Sequence, residues 1–520
     1  MKIRSSIEND LLIKYTVIAV LGFIIYFNVL HGEFVCDDYG TIVDNPSIIR
    51  LNPGEIFKNF NTRFIAGLSF AFNYWLGHQD TFGYHFFNII VHIINAILIY
   101  HFVSKTFQTS GLKDSPLRQH SSQIAFYAAL IFLSHPMQTQ GVSYISQRLA
   151  SMGTMFYLGA FLLYLKARLE RRLIFYYGAL FLMIMGLLTK EMAFTLPINL
   201  VVYELLFLGA SWKTDGKRLL RLFCGGIFLI AVPLFVARMR VSGDLMTAGT
   251  STADFFEWTY FFAELNVLRL YLKDFIFPWP QSHSYDYPMG PGWGGAATIL
   301  SVVLLVSLVV YALGNIQKNR LAGYAVFWFF ITTSMEAGFA VCYAGRGAGL
   351  MYDHWLYLPM AGFSLFFVSE VYRRCRSVRI IQYFLWAVVI ICCVASHERN
   401  KVWQTEVGLW EDVLQKNPKS LVHYLALGVS YERKERWREA VAVYQQGISM
   451  YERHELTGAS PGIQRVYLSR IYNNLGIIAA DREHDNAQAM EYFRRAAEID
   501  NNNADAYNNL RILAGGSADR

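Results

Sequence analysis

The chain has 520 residues, 54% of them hydrophobic and 16% charged, with a formal net charge of +7. That composition excludes an ordinary soluble globular protein, and acidic residues are denser after residue 397 than before it. The sequence therefore divides into a membrane part, 1–396, and a water-soluble part, 397–520; the basic residues of the first part form no continuous patch, which argues against a nucleic-acid partner.

A membrane-crossing helix needs about 20 largely apolar residues. Eleven segments are expected to span: 11–30, 83–104, 121–138, 149–166, 173–189, 192–210, 219–239, 295–313, 321–340, 353–371 and 380–396. Basic residues alternate between the two ends of these segments, as in Lys2/Arg4, Lys105/Lys113/Arg118, Lys166–Arg172, Lys213–Arg221, Lys318/Arg320 and Arg373–Arg379. The positive-inside rule makes those loops cytoplasmic and places 397–520 on the opposite side. No small-residue cleavage site follows the first apolar run, so it reads as an uncleaved helix. The long first outer loop, 31–82, contains an aromatic stretch at 63–75 expected to lie in the interface. Segment 255–279 is helix-like but carries Glu257, Glu264, Arg269, Lys273 and Asp274, and is placed on the outer surface. The six cysteines show no zinc spacing; Cys36 and Cys342 both fall on the outer side, where a disulfide is one reading.

The outer connections hold the polar groups. Asp37 and Asp38 follow the first apolar run, and Arg63, His85, His135, Gln147, Arg148, Lys190, Glu191, Asp353 and His354 all come at helix ends on the same face. Ionisable groups at membrane depth are functional candidates. Each has a plainer reading beside it. Asp37-Asp38 could be an N-cap with a first-turn charge, Lys190-Glu191 a local ion pair and His135 a capping or packing residue. His85 and His92 lie seven apart on one helix face, which suits interhelical hydrogen bonding better than metal binding.

The soluble part repeats at a period of about 34 residues, the tetratricopeptide length. One unit places Tyr424, Leu427-Gly428, Tyr431, Ala440, Tyr444 and Gly447 at the anchor positions; the next places Tyr472, Leu475-Gly476, Ala489, Phe493 and Ala496. Tyr507 and Leu510 begin a terminal helix in register, and Pro418 closes a partial unit containing Trp410. Such stacks commonly bind extended peptide on their concave face, for which Asn473, Asn474, Asn508 and Asn509 are candidates, although they also read as solvated helix positions.

Phe34-Val35-Cys36-Asp37-Asp38, then Arg63, Leu68-Ser69-Phe70, Asn73-Tyr74, Gly83-Tyr84-His85, Asn88 and His92 together resemble the start of the tetratricopeptide-containing transmembrane O-mannosyltransferases. His135-Pro136, Gln147-Arg148, Lys190-Glu191, His354 with Leu356-Tyr357-Leu358-Pro359, and Arg399-Asn400 with Trp403 continue the match in order. Family members often have Arg-Pro where this chain has Arg63-Phe64, and Glu-His-Arg where it has Asp353-His354-Trp355.

The resemblance implies an all-α architecture: a GT-C glycosyltransferase core of about eleven spans followed by a tetratricopeptide α-solenoid. It also implies an inverting transferase that moves a sugar from a polyprenyl-phosphate donor to hydroxyls of acceptor proteins on the non-cytoplasmic face. Asp37 would be the general base and Asp38 its orienting partner. Arg148 and Lys190, then Arg63 and Arg346, would hold the donor phosphate. A divalent cation, Mg or Mn, is one further reading of Asp37-Asp38, completed by Glu191 and Asp353. The alternatives are a GT-C enzyme acting on a lipid-linked glycan or envelope polysaccharide, and a non-enzymatic membrane-anchored scaffold. A bacterial inner membrane is favoured, and an endoplasmic reticulum membrane also fits.

Overall fold

The computed structural model describes residues 2–247, 258–285, 295–342, 350–457 and 461–516. All regular structure among the described residues is helical, and the chain gathers into two units. The first comprises Met1–Gln281, Gly292–Cys342 and Tyr352–Thr405; the second comprises Ser282–Pro291, Tyr343–Met351 and Glu406–Arg520.

Among the described residues, five helices of the first unit are long and apolar enough to cross a membrane: Asn9–Val29, Thr81–Thr106, Ile145–Glu170, Ala296–Asn315 and Val378–Trp403. That is fewer than the eleven expected, and proline supplies much of the reason. Pro136, Pro197 and Pro359 start or stop helices inside expected spans, leaving the shorter Ser121–Ser134, Leu196–Phe207 and Pro359–Arg374. Leu173–Leu187 is apolar but has 15 residues. Segments 219–239 and 321–340 fall within Trp212–Thr247 and Arg320–Cys342.

Caps fix where the elements of the first outer loop begin. The Asn45 side chain accepts from Ser47 N–H, that of Asn52 from Gly54 and Glu55 N–H, and that of Asp80 from Phe82 N–H at 3.1 Å. The expected interfacial stretch folds as the helix Phe64–Gly77, with Phe72, Trp75 and Leu76 exposed. Segment 255–279 forms the helix Trp258–Asp274, which packs against Ala296–Asn315 and Arg320–Cys342.

Polar contacts stitch the helices together at one end. His92 lies between Tyr357 hydroxyl, at 2.6 Å from Nδ1, and Leu133 carbonyl, at 3.0 Å from Nε2, the interhelical role its spacing suggests. The Tyr357 ring also seats against Gly141, where a Cβ would come within 2.4 Å. The helices Lys2–Tyr26 and Val378–Asn400 are joined side by side: Asn400 Nδ2 donates to Ile25 carbonyl at 2.9 Å, and Asn28 Nδ2 to His397 carbonyl at 2.9 Å. Gln404 Nε2 donates to Asn28 carbonyl at 2.7 Å, and Glu33 N–H to Gln404 carbonyl at 3.0 Å.

The second unit stacks antiparallel helices: Glu406–Lys416, Leu421–Arg433, Trp437–Glu452, Pro461–Asp481, Asn486–Ile499 and Ala504–Gly516. The expected anchors meet inside each pair. A Cβ at Gly428 would lie 2.0 Å from Tyr444 Cε1, and one at Gly476 2.6 Å from Phe493 Cε1, so glycine alone allows these ring-to-backbone contacts. Residues 282–285 add to this unit beyond the sequence expectation, with Asn417 Nδ2 donating to Ser282 Oγ at 2.9 Å and to Ser284 carbonyl at 3.0 Å.

Candidate functional site

The acidic pair sits at a backbone reversal. Cys36 adopts φ +51°, a left-handed conformation unfavourable for a residue with a Cβ, and the turn sends the two aspartates opposite ways. Asp37 is exposed and Asp38 is fully buried. Asp38 Oδ2 accepts from Val35 N–H at 3.0 Å, and Oδ1 accepts from Ser146 N–H at 2.7 Å and from Ser146 hydroxyl. Burial pushes its carboxyl up to about 7, against the lowering effect of those hydrogen bonds. Asp38 therefore fastens the turn to the start of the Arg148–Glu170 helix and leaves Asp37 facing out. The Asp37 N–H is held in turn by Tyr144 hydroxyl at 2.9 Å, and the Tyr144 ring stacks on Trp403 with centroids 5.5 Å apart.

Charged groups gather near Asp37. Arg63 forks onto Glu191, Nε to Oε1 at 3.0 Å and Nη2 to Oε2 at 3.3 Å, while about half of its side chain stays exposed. Glu191 first, then the fields of Glu336 and Asp37, raise the Arg63 guanidinium further against the cost of burial. Burial opposes ionisation of Glu191, but Arg63 and then Lys190 hold it below the ordinary carboxylate value. Lys190 Nζ lies 3.2 Å from Glu336 Oε1 in a nearly buried pair. Lys190 and Glu191 thus have different partners across the fold; they are not each other's ion pair.

Arg148 is placed otherwise than a phosphate ligand would be. It is fully buried, Nε donates to Asn88 Oδ1 at 2.7 Å, and its two Nη atoms reach Ser69 and Tyr84 carbonyls at 3.1 Å. Its guanidinium lies 4.6 Å and 4.3 Å from the Phe70 and Phe87 ring centroids. Every arm of the fork is spent on protein. Gln147 is buried in the short turn before it. His135 caps the following turn through Nδ1, which accepts from Met137 N–H, and its Nε2 lies 3.2 Å from Phe275 carbonyl, so the capping reading describes its contacts. His85 Nε2 lies 3.3 Å from Gly32 carbonyl at the base of the acidic loop.

Asp353 is buried, and His354 N–H donates to Gln140 Oε1 at 2.8 Å. The adjacent Tyr352 exchanges both of its backbone bonds with Tyr271 hydroxyl, each at 3.0 Å. Burial and then Glu264, with Asp353 and Glu336 adding, raise the Tyr271 phenol well above its ordinary value. Arg346 lies outside the described residues, as does the Cys342 side chain.

The divalent-cation reading does not fit these residues. Both Asp38 oxygens take protein hydrogen bonds, both Glu191 oxygens take Arg63, and no group of three His, Cys, Asp or Glu among the described residues could hold a metal ion. In the second unit, Asn473 Oδ1 accepts from Asn509 Nδ2 at 3.0 Å, Asn474 Nδ2 donates to Tyr444 hydroxyl at 3.0 Å, and Asn508 Oδ1 faces Arg511 at 3.5 Å. Asn473, Asn474 and Asn509 thereby tie neighbouring helices together.

The first unit also has an apolar cavity of about 560 Å³ lined by residues including Leu304, Leu308, Phe329, Pro359 and Phe363, with Arg269 and Lys273 also on its wall. Tyr144, Ser146, Glu264, Tyr271 and Glu336 are the site residues that sequence reasoning missed. For Glu336 the available signal was a lone carboxylate in an otherwise apolar helix; Glu264 shares its helix with Arg269, Lys273 and Asp274 and gave no such signal.

Over 437 residues, 78% of the chain, it is 26% identical to a protein O-mannosyl-transferase of Caenorhabditis elegans. Identity is 24% to one of Drosophila melanogaster over 93% of the chain, and 24% to one of Homo sapiens over 88%. The chain is similar to the tetratricopeptide-containing transmembrane O-mannosyltransferases. It spans 58%, 59% and 55% of the lengths of these three relatives. No family model and no solved structure matches it. Together with its apolar helices, the similarity to these mannosyltransferases marks it as a membrane protein.

Proposed function

We propose that the chain is a membrane glycosyltransferase that passes a sugar from a polyprenyl-phosphate donor to a hydroxyl of an acceptor protein, with inversion, on the non-cytoplasmic face. The observation that carries this reading is the exposed Asp37, locked by its backbone and its buried neighbour within electrostatic reach of the half-exposed Arg63, which forks onto Glu191. Asp37 accepts the acceptor hydroxyl's proton as that oxygen attacks the anomeric carbon. The bond from that carbon to the phosphate oxygen breaks, and the phosphate leaves with the electron pair. Lys190 and the exposed edge of Arg63 stabilise the phosphate charge. Arg148, enclosed by protein, is a positioning residue that sets the wall of the site and touches no donor. The apolar cavity with Arg269 and Lys273 on its wall suits a lipid tail ending in an anionic group.

In this reading the first part, 1–396, is the transferase domain and 397–520 the tetratricopeptide domain that recruits the acceptor, through its concave surface and not through the Asn473, Asn474 and Asn509 amides that bind the stack together. The membrane is one whose outer loops face a periplasm or an organelle lumen.

The test is mass spectrometry of protein-linked hexose in cells carrying wild type or Asp37→Asn at equal expression. The exposed Asp37 side chain is not needed for folding, so the variant should accumulate normally and lose transfer by at least about 100-fold. Unchanged protein glycosylation in Asp37→Asn would overturn the assignment and direct the search to lipid-linked or envelope glycans.

A further inference from the structure

Glu264 is 4% exposed, and neither carboxyl oxygen has a hydrogen-bond partner among the described residues. Such a group costs the fold free energy unless something else occupies it. It lies in Trp258–Asp274, two turns from Tyr271 on the same face, and that helix packs against Arg320–Cys342, which carries Glu336. Glu336 Oε1 and Lys190 Nζ are also buried, and although 3.2 Å apart they lack hydrogen-bond geometry. Three buried polar groups from three chain segments therefore have unused hydrogen-bonding capacity. Tyr271 does not relieve them, because its hydroxyl is committed to Tyr352.

We propose that Glu264, with Glu336 and Lys190, forms the subsite that grips the donor's sugar through its hydroxyls. The inference rests on the lipid-phosphate-sugar donor proposed above and adds where its sugar is read. A hexose presents adjacent hydroxyls that both donate and accept. A neutral carboxylic acid answers with one donor and one acceptor, an ionised carboxylate with acceptors, and an ammonium with donors. Burial, and after it the field of Glu336, push Glu264 up to about 8, so it is largely the neutral acid at neutral pH. A site built to hydrogen-bond hydroxyls discriminates strongly, because a sugar lacking one leaves a buried group unpaired. The cost of the orphaned carboxyl in the free protein is then returned on binding.

The test uses full-length protein in lipid nanodiscs and two probes, a polyprenyl phosphate and the same lipid phosphate carrying mannose. Wild type should bind the mannosyl lipid more tightly. Glu264→Leu should cut that preference about tenfold, leave the bare lipid phosphate within about twofold, and raise thermal stability or leave it unchanged. Glu264→Gln, which keeps one donor and one acceptor, should recover most of the preference. The subsite is overturned if Glu264→Leu keeps the preference, weakens both lipids equally or melts well below wild type. Wild type binding neither lipid would overturn the donor reading itself, and the subsite with it.

Discussion

Asp38 should make the fold lose stability as the pH rises. Its carboxyl stands at about 7 in the folded protein against an ordinary 3.8, with burial as the dominant cause. An acid whose folded value lies above its unfolded value stabilises the fold in the protonated form. That contribution is whole below about pH 4 and is lost as pH climbs through about 7. At roughly 1.4 kcal/mol per pH unit the full loss is on the order of 4 kcal/mol, of which about 3 kcal/mol falls between pH 5 and 8. Asp38→Asn removes the titration while keeping the shape, at a fixed cost because an amide nitrogen now faces the Ser146 or Val35 donor. Thermal melts of wild type and Asp38→Asn in detergent at half-unit steps from pH 5 to 8 measure the difference between the two. The wild-type advantage should shrink steadily with pH. A difference constant across that range would refute the assignment of a buried, proton-binding Asp38.

Arg148→Lys should cost about 3–5 kcal/mol, because an ammonium cannot reach Asn88, Ser69 and Tyr84 together, and it should show as loss of folded protein on size-exclusion chromatography. Gly428→Val should destabilise the second unit by at least about 1–3 kcal/mol through collision with Tyr444, read as early proteolysis after residue 405. A double-mutant cycle on Arg63 and Glu191 should return about 1 kcal/mol of stability coupling, since the pair is half-exposed. If Arg63 contacts donor phosphate, Arg63→Ala should also raise the donor KM beyond what that coupling explains.

The helical character, the membrane part and the repeat anchors were legible because they depend on local patterns. Tyr444 against Gly428 is written in a spacing of 16 residues, and the acidic loop follows directly from an apolar run. What was hidden depends on distant pairings. Asp37 and Asp38 look alike in sequence, and only Ser146, 108 residues away, separates an outward carboxylate from an inward brace. Arg148 looked like a phosphate fork because nothing nearby in the chain reveals that Asn88 and Ser69 consume its donors. Lys190 has an acidic neighbour in sequence but pairs with Glu336, a residue 146 positions on. The expected spans run longer than the helices where they cross His135-Pro136, Leu196-Pro197 and Leu358-Pro359, because counting apolar residues does not register the break a proline makes.

The stitch between Lys2–Tyr26 and Val378–Asn400 bears on how the molecule is made. The acidic loop is made long before the residues that support it: Glu33 N–H donates to Gln404, and Tyr144 stacks on the ring of Trp403. Until those later residues emerge, the loop lacks that backbone bond, and Tyr144, which holds the Asp37 N–H, lacks its stacking ring. Support of the Asp37 turn is therefore coupled to synthesis of the Val378–Asn400 helix and the residues just after it. A chain ended before residue 403 would carry every acidic residue of the loop and still lack the bond from Glu33 and the ring behind Tyr144.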